Sequence, residues 1–173
     1  MKQKLRKKFF LERKKISARR KKEAAISAYD KLINLTKGYN SILSYSPIDN
    51  EVSLTKFNLY LQSQGRLSLP KIEEEALVPY AASDMENQLK TFSHKFLEPD
   101  NSCKKAEHID LALVPGILFD KDGGRIGFGK GHYDKFLEKR KIKTIGILFK
   151  EQLYEGLLPL ESHDIAMEGL CIV

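Results

Sequence analysis

The chain has 173 residues, 42% of them hydrophobic, with 30 Lys+Arg against 23 Asp+Glu. That length suits one domain with a real core; no apolar run approaches the roughly 18–20 residues of a membrane span, and the basic N-terminus lacks the continuous apolar stretch of a secretory signal. Cys103 and Cys171 have no metal-ligand spacing and frame no disulfide scaffold, so a reducing cytoplasm is the expected compartment. The net charge of +7 is uneven: residues 1–22 hold 12 basic residues and one acidic residue, Glu12, for +11. The other 151 residues hold 18 basic and 22 acidic residues, for −4. A basic end of this kind suits nucleic acid, an acidic membrane, or the phosphates and carboxylates of small anions.

In chain order, KQKLRKKFFLERKKIS places Leu5, Phe9 and Ile16 near one helical stripe. Ser17 is positioned to cap a second helix, in which Ala24, Ala25, Ala28, Leu32 and Ile33 keep the 3.6-residue period, with Gly38 as its stop. SILSYSP (41–47) reads as a buried strand ending at Pro47, and NEVSLTKFNLYLQSQG as a helix capped at Ser53 and closed by Gly65. RLSLP is a short strand. Residues 71–105 are the least legible: ALVPY and LKTFS read as strands and LEPDNSCKK as a loop. IDLALVPGILFD, the most apolar run, reads as one central strand buried on both faces. A glycine loop and a short helix follow, then KTIGILF (143–149) as another buried strand. Strand, loop, helix and strand make a βαβ unit. The pattern points to a single domain over residues 1–173, a three-layer α/β/α fold with a mostly parallel central sheet.

Residues 123–137, GGRIGFGKGHYDKFL, hold five glycines with Arg125 and Lys130 among them, then Tyr133, Phe136 and Leu137 at helical spacing. Alternating glycines allow positive φ and bring backbone N–H groups close to a ligand. A helix N-terminus after a strand adds oriented donors and partial positive charge, which suits phosphate. A bare mobile turn is the alternative; the two cations and Asp134 at the helix entrance favour a phosphate cradle. The dinucleotide fingerprint G-x-G-x-x-G fails at His132. The P-loop pattern matches from Gly124 through Lys130 and fails at Gly131, where a magnesium-binding hydroxyl belongs.

LVPGILFDKDGGRIGFGKGHYDKFL resembles the signature of the 5-formyltetrahydrofolate cyclo-ligase family, also called methenyltetrahydrofolate synthetases. KQKLR is similar to that family's N-terminal Lys-x-x-Leu-Arg, NEVSL carries Glu51 where the family has a substrate-contacting Glu, SLPKI and FLEP resemble its short Pro-containing segments, and SHDIAMEG its C-terminal His-Asp element. The resemblance covers most of the chain in the right order. It implies an enzyme that uses Mg-ATP to turn 5-formyltetrahydrofolate into 5,10-methenyltetrahydrofolate, releasing ADP and phosphate, with Mg2+ as cofactor and ATP as co-substrate. It further implies ATP contacts from Lys2, Gln3, Lys4, Leu5 and Arg6, and from Arg125, Ile126, Gly127, Phe128, Gly129, Lys130, Gly131, His132 and Tyr133. Of these, Arg125, Lys130 and Tyr133 would be catalytic; Glu51, Ser46 and Tyr45 would meet the folate; Asp134 and Asp164 would hold the metal.

On charge alone, Lys2 and Arg6 are also consistent with a solvated basic helix, Glu51 with a helix-entry residue, and Asp164 with a turn cap. His163 reads as structural, His94 and His108 as surface residues without partners, and the remaining basic residues up to Lys22 as solvent-facing. The chain departs from the family pattern with His132 in place of an aromatic, Phe128 where Tyr is common, and Glu168 where Asp is frequent. Two other readings compete: a family-like, non-catalytic module whose basic end binds RNA, and an ATP-using enzyme acting on another formyl or pterin substrate. The expected partners are the two small substrates, with no specific nucleic acid and no membrane, and the expected state is a monomer.

Overall fold

Two helices form from the basic end, in a computed structural model that describes residues 1–48, 50–92, 96–138 and 140–173. Helix α1 (Lys2–Lys15) is mostly polar and buries only Phe9 and Arg13. Helix α2 (Ala18–Leu35) starts at Ser17, whose Oγ accepts the Arg20 N–H at 3.2 Å, and buries Ala24, Ala28 and Leu32 on one stripe. Strand β1 is only Ile42–Leu43, shorter than the expected 41–47. Beyond it the chain turns polar groups inward: Ser44 Oγ bonds Asn58 Oδ1 at 2.6 Å, and Asn58 Nδ2 donates to the Tyr45 carbonyl at 2.9 Å. The Ser44 N–H still reaches the Ser68 carbonyl at 2.9 Å, and beyond it Asn58 satisfies the next carbonyl. Helix α3 (Thr55–Ser63) begins after Leu54, not at Ser53, whose hydroxyl instead meets that of Thr55 at 3.2 Å.

Strands β2 (Leu67–Glu73) and β3 (Ala76–Ala81) form an antiparallel hairpin, with Glu74 and Glu75 both at positive φ in its turn. A single turn of helix, α4 (Met85–Gln88), leads into a ribbon of β4 (Leu89–Phe92) and β5 (Phe96–Pro99), followed by β6 (Lys104–Lys105). The segment expected to be a loop from Leu97 to Lys105 therefore contains strand. Its Leu-Glu-Pro core pairs with Thr91, Lys90 and Leu89 in that order, and the turn chemistry begins only at Asp100, which caps Ser102.

The most apolar run is two strands, not one. Strand β7 (Leu111–Pro115) sits in the middle of the large sheet, and β8 (Leu118–Asp120) enters a second, three-stranded sheet. The break falls at Pro115–Gly116, where proline ends ladder donation. Strand β9 (Arg125–Ile126), helix α5 (His132–Leu137), β10 (Lys143–Leu148), a single 3-10 turn, β11 (Leu153–Tyr154) and β12 (Gly169–Ile172) complete the order.

The seven-stranded sheet runs β12-β10-β7-β1-β2-β3-β6. Its β12, β10, β7, β1 and β2 are parallel to their neighbours, and the β3 hairpin and β6 add antiparallel edges. On β7, Leu111 and Leu113 pack into the cluster with α2 and α3, whereas Ala112 and Val114 pack with Phe136 and Leu137 of α5 on the other face. Each such fully buried leucine contributes about 2 kcal/mol of apolar transfer. Helix α1 covers the small sheet, its Phe9 meeting Ile117, Leu118 and Ile126. The result is a three-layer α/β fold around a mostly parallel sheet, with β7 followed by β8, β9 and α5 before its parallel partner β10. No helix among the described residues is long and apolar enough to cross a membrane.

Candidate active site

A cavity of about 740 Å³ opens beyond the carboxyl ends of β1 and β7, the position where α/β sheets present ligands. One wall is the chain from Arg125 to Asp134; a second comes from Tyr45, Ser46, Ile48 and Glu51 after β1. Lys2 and Arg6 of α1 reach it, as do Glu161, His163 and Asp164 from the loop before β12.

The turn that launches the glycine loop is built by Asp120. This carboxylate is 2% exposed and accepts N–H groups from Asp122 (3.1 Å), Gly124 (2.7 Å) and Leu158 (2.9 Å). Gly123 stands at φ +86, and a Cβ there would lie 2.1 Å from the Met167 carbonyl oxygen, so only glycine fits. The first two glycines of the motif thus serve the β8–β9 turn. Nearer the cavity, Gly131 caps α5 in the left-handed conformation (φ +65) with open space where a side chain would project.

Helix α1 holds this loop. Arg6 Nε donates to the Gly127 carbonyl at 2.8 Å, and the Phe10 ring meets Phe128 edge-on at 6.4 Å. Arg13, expected at the surface, is 1% exposed: its Nη1 donates to the Gly116 carbonyl at 3.0 Å and its guanidinium lies 5.5 Å from the Phe128 ring centre. Lys2 pairs with Asp164 and, at 3.0 Å, with Glu161. Burial opposes the charge on Lys2, but the two carboxylates outweigh it and raise its pKa. Burial likewise opposes the charge on Asp164, and the Glu161 N–H and Lys2 outweigh it and lower its pKa.

Of the five expected N-terminal contacts, only Lys2 and Arg6 reach the cavity wall. They are four apart on one face. Leu5 turns instead to the Phe9 cluster and Lys4 to the outward, lysine-rich face, because successive helical residues rotate by about 100°. Gln3 is exposed and does not line the cavity.

Arg125 is nearly buried and paired with Asp134, its Nη2 at 3.0 and 2.9 Å from the two carboxylate oxygens; Asp134 also accepts the Ile165 N–H at 3.1 Å. Lys130 projects from the exposed tip of the loop. Tyr133 lies under Arg125, and its hydroxyl is buried with no hydrogen-bond partner among the described residues. Burial, then the nearby Glu51 charge, raise the pKa of this phenol. Tyr45 is raised by the same two causes, its hydroxyl donating to the Val52 carbonyl at 2.9 Å. Glu51 is 8% exposed and accepts the Ile48 N–H at 3.0 Å. His132 is shifted down by burial and then by Lys130 and Lys135.

His108 is not partnerless: its Nε2 is 2.6 Å from Asp110 Oδ1. His94 lies outside the described residues. His163 is exposed on the cavity rim, near Glu161 and Asp164. Among the described residues, no group of three or more His, Cys, Asp or Glu gathers to hold a metal ion. Asp134 and Asp164 are the acidic pair suited to a hard cation, and each is already balanced by a basic side chain. Such a pair is enough for magnesium that arrives on a polyphosphate, which asks the protein for only one or two carboxylates.

The reading from sequence missed a further wall of the cavity. Pro70 and Ile72 of β2, Leu77 of β3, and Leu97 and Glu98 of β5 all line the cavity. The available signal was FLEP itself: a lone Glu inside an apolar, β-prone tetrapeptide.

A cationic glycine loop and buried carboxylates share one cavity at the edge of a mostly parallel sheet, which makes this an α/β protein with its candidate site beyond the strand ends. The chain belongs to the 5-formyltetrahydrofolate cyclo-ligase family, whose sequence pattern matches residues 1–173. It is 36% identical over 88 residues to the 5-formyltetrahydrofolate cyclo-ligase of Saccharomyces cerevisiae, covering 46% of this chain and 40% of that one. The chain thus spans about two fifths of the yeast relative's length. To the Mycoplasma pneumoniae 5-formyltetrahydrofolate cyclo-ligase it is 30% identical over 130 residues, 74% of this chain and 70% of that one. The NMR structure of Aquifex aeolicus 5,10-methenyltetrahydrofolate synthetase superposes with a TM-score of 0.87 at 30% identity, covering 99% of this chain and 89% of that one.

Proposed function

We propose that this protein is an ATP-dependent 5-formyltetrahydrofolate cyclo-ligase, forming 5,10-methenyltetrahydrofolate with release of ADP and phosphate. The observation that carries the reading is the single cavity in which Lys2, Arg6, Arg125 and Lys130 share space with Glu51 and Tyr133, within a chain matched throughout by the family.

The chemistry asks for charge handling. A formyl oxygen on an amide-like nitrogen is a poor leaving group, so transfer of the γ-phosphoryl group to that oxygen makes departure possible. Folate nitrogen 10 then bonds to the formyl carbon and gives up its proton to the departing phosphate or to solvent, and the carbon–oxygen bond breaks as phosphate leaves. Lys130 and the N–H groups from Gly127 to Gly131 neutralise and orient the polyphosphate. Lys2 and Arg6 add charge from α1, at the cost to Lys2 of exchanging its carboxylate partners. Arg125, anchored on Asp134, presents a fixed cation beside the transferring group. Glu51, with Tyr45 and Ser46, positions the pterin. The Tyr133 phenol, kept protonated, donates a hydrogen bond toward the reacting oxygen. Magnesium, carried by ATP, would be held by Asp134 and Asp164 and would supply further charge neutralisation at the phosphates. Both cysteines are free and buried, which supports a reducing, cytoplasmic setting.

The test is an absorbance assay for the methenyl product with and without Mg-ATP. Product that appears only with Mg-ATP supports the reading; binding of folate without ATP turnover refutes it. A panel of other formyl and pterin compounds tests substrate identity.

A further inference from the structure

Glu98 is a cavity-lining carboxylate to which the chemistry above gives no task. It sits on β5, 7% exposed, with Pro70, Ile72, Leu77 and Leu97 as its neighbours on that wall. Its Oε1 accepts the Ile72 N–H at 3.3 Å, a long bond for an ionised acceptor, and no ion pair closes on it among the described residues. Burial raises its pKa, which the Ile72 N–H and the nearby Lys71 only partly offset. A carboxylate can accept about four hydrogen bonds, so the Ile72 bond leaves acceptor capacity on a residue that lines the cavity.

The cavity's cations are also confined to one side, where Asp134, Glu161 and Asp164 accompany them. These cations belong to α1 and the glycine loop, whereas the β2, β3 and β5 wall offers apolar side chains and Glu98. Such a wall repels phosphate and suits the faces and N–H edge of a flat heterocycle. A reduced pterin carries a 2-amino group and ring N–H donors, more than one carboxylate can satisfy. Glu51 enters from a different segment, after β1.

We infer that Glu98 is a second substrate-recognising carboxylate, accepting N–H hydrogen bonds from the pterin where it lies against the β2, β3 and β5 wall. This rests on the folate reading given above. It assigns the β2, β3 and β5 wall of the cavity to the heterocycle and the α1 and glycine-loop side to ATP.

Two variants test it, Glu98→Leu and Glu98→Gln, with calorimetric titration of 5-formyltetrahydrofolate in the absence of ATP, KM for each substrate, and melting temperature. Glu98→Leu is expected to weaken folate binding at least about tenfold, the loss of one charge-assisted hydrogen bond. KM for ATP should stay within about twofold, because the lost bond is one ATP does not make. The melting temperature should hold or rise, because a buried charge is removed. Glu98→Gln keeps one acceptor and should fall between the wild type and Glu98→Leu. Wild-type folate affinity in Glu98→Leu overturns the inference, as does a fall in melting temperature that moves both KM values together, the mark of a wall residue only. A wild type that binds folate but forms no methenyl product overturns the proposed reaction while the affinity comparison still decides the role of Glu98. A wild type that binds no folate overturns both.

Discussion

Arg125 Nη2 lies 3.0 Å from one oxygen of Asp134 and 2.9 Å from the other, so the cation assigned to phosphate and the carboxylate assigned to magnesium hold each other. Their side chains are only 5% and 17% exposed. The pair bolts the entrance of α5 to β9, and any test of either residue reads fold and chemistry together.

Asp134→Asn is therefore expected to lower stability by about 1–3 kcal/mol, because a nearly buried guanidinium loses its counter-charge. The same variant should require more magnesium for turnover. Thermal melting and a magnesium titration check the two effects. Unchanged melting would show that the ion pair does not hold the helix entrance, and overlaying magnesium curves would exclude Asp134 as a ligand.

Lys130 offers the cleaner probe of the cradle, since it is exposed at the loop tip. Lys130→Ala should leave the melting temperature unchanged and reduce kcat/KM for ATP about 100-fold, equivalent to roughly 2.7 kcal/mol of transition-state stabilisation. Steady-state kinetics at varied ATP decide it. Wild-type values would move the phosphates away from Lys130.

Tyr133→Phe removes a buried hydroxyl that has no partner among the described residues. Stability should hold or rise by up to about 1 kcal/mol, whereas kcat should fall about tenfold if the phenol donates to the reacting oxygen. Burial and Glu51 raise this phenol's pKa, so it stays protonated past the ordinary tyrosine range. The wild-type rate should consequently show no loss assignable to Tyr133 below about pH 10. A variant with wild-type kcat would remove Tyr133 from the chemistry.

The Lys2–Asp164 pair sets a pH window for docking of α1. The folded pKa of Asp164 is lowered, so its contribution is present above the ordinary aspartate pKa, about 4, and is lost as pH falls through the lower folded value. Lys2 is raised, so its contribution is complete below the ordinary lysine value, about 10.4, and fades above the folded one. Proteolytic protection of residues 2–6 should be flat between these limits and drop outside them. In Asp164→Asn, protection should be reduced across the whole range. A wild-type profile in that variant would show that the pair does not fasten the helix.

Much of this molecule is legible from its residues. The spacing of Ala24, Ala28 and Leu32 makes α2, Ser17 caps it, and the β-rich runs around Leu111 and Ile145 make neighbouring parallel strands. The glycine motif fixes a loop at the start of a helix. These are local matters of periodicity, capping and backbone freedom, readable wherever they occur. The tertiary structure alone decided which charges oppose which. Arg13 reads as one more lysine-rich helix position, yet the fold carries it 103 residues along the chain to the Gly116 carbonyl. Glu98 reads as part of a loop until β5 pairs with β4 and packs on β2, making it a cavity wall. Asp134 reads as a free ligand until β9 brings Arg125 against it. Burial and ion pairing depend on contacts between distant segments, and those contacts have no period in the sequence.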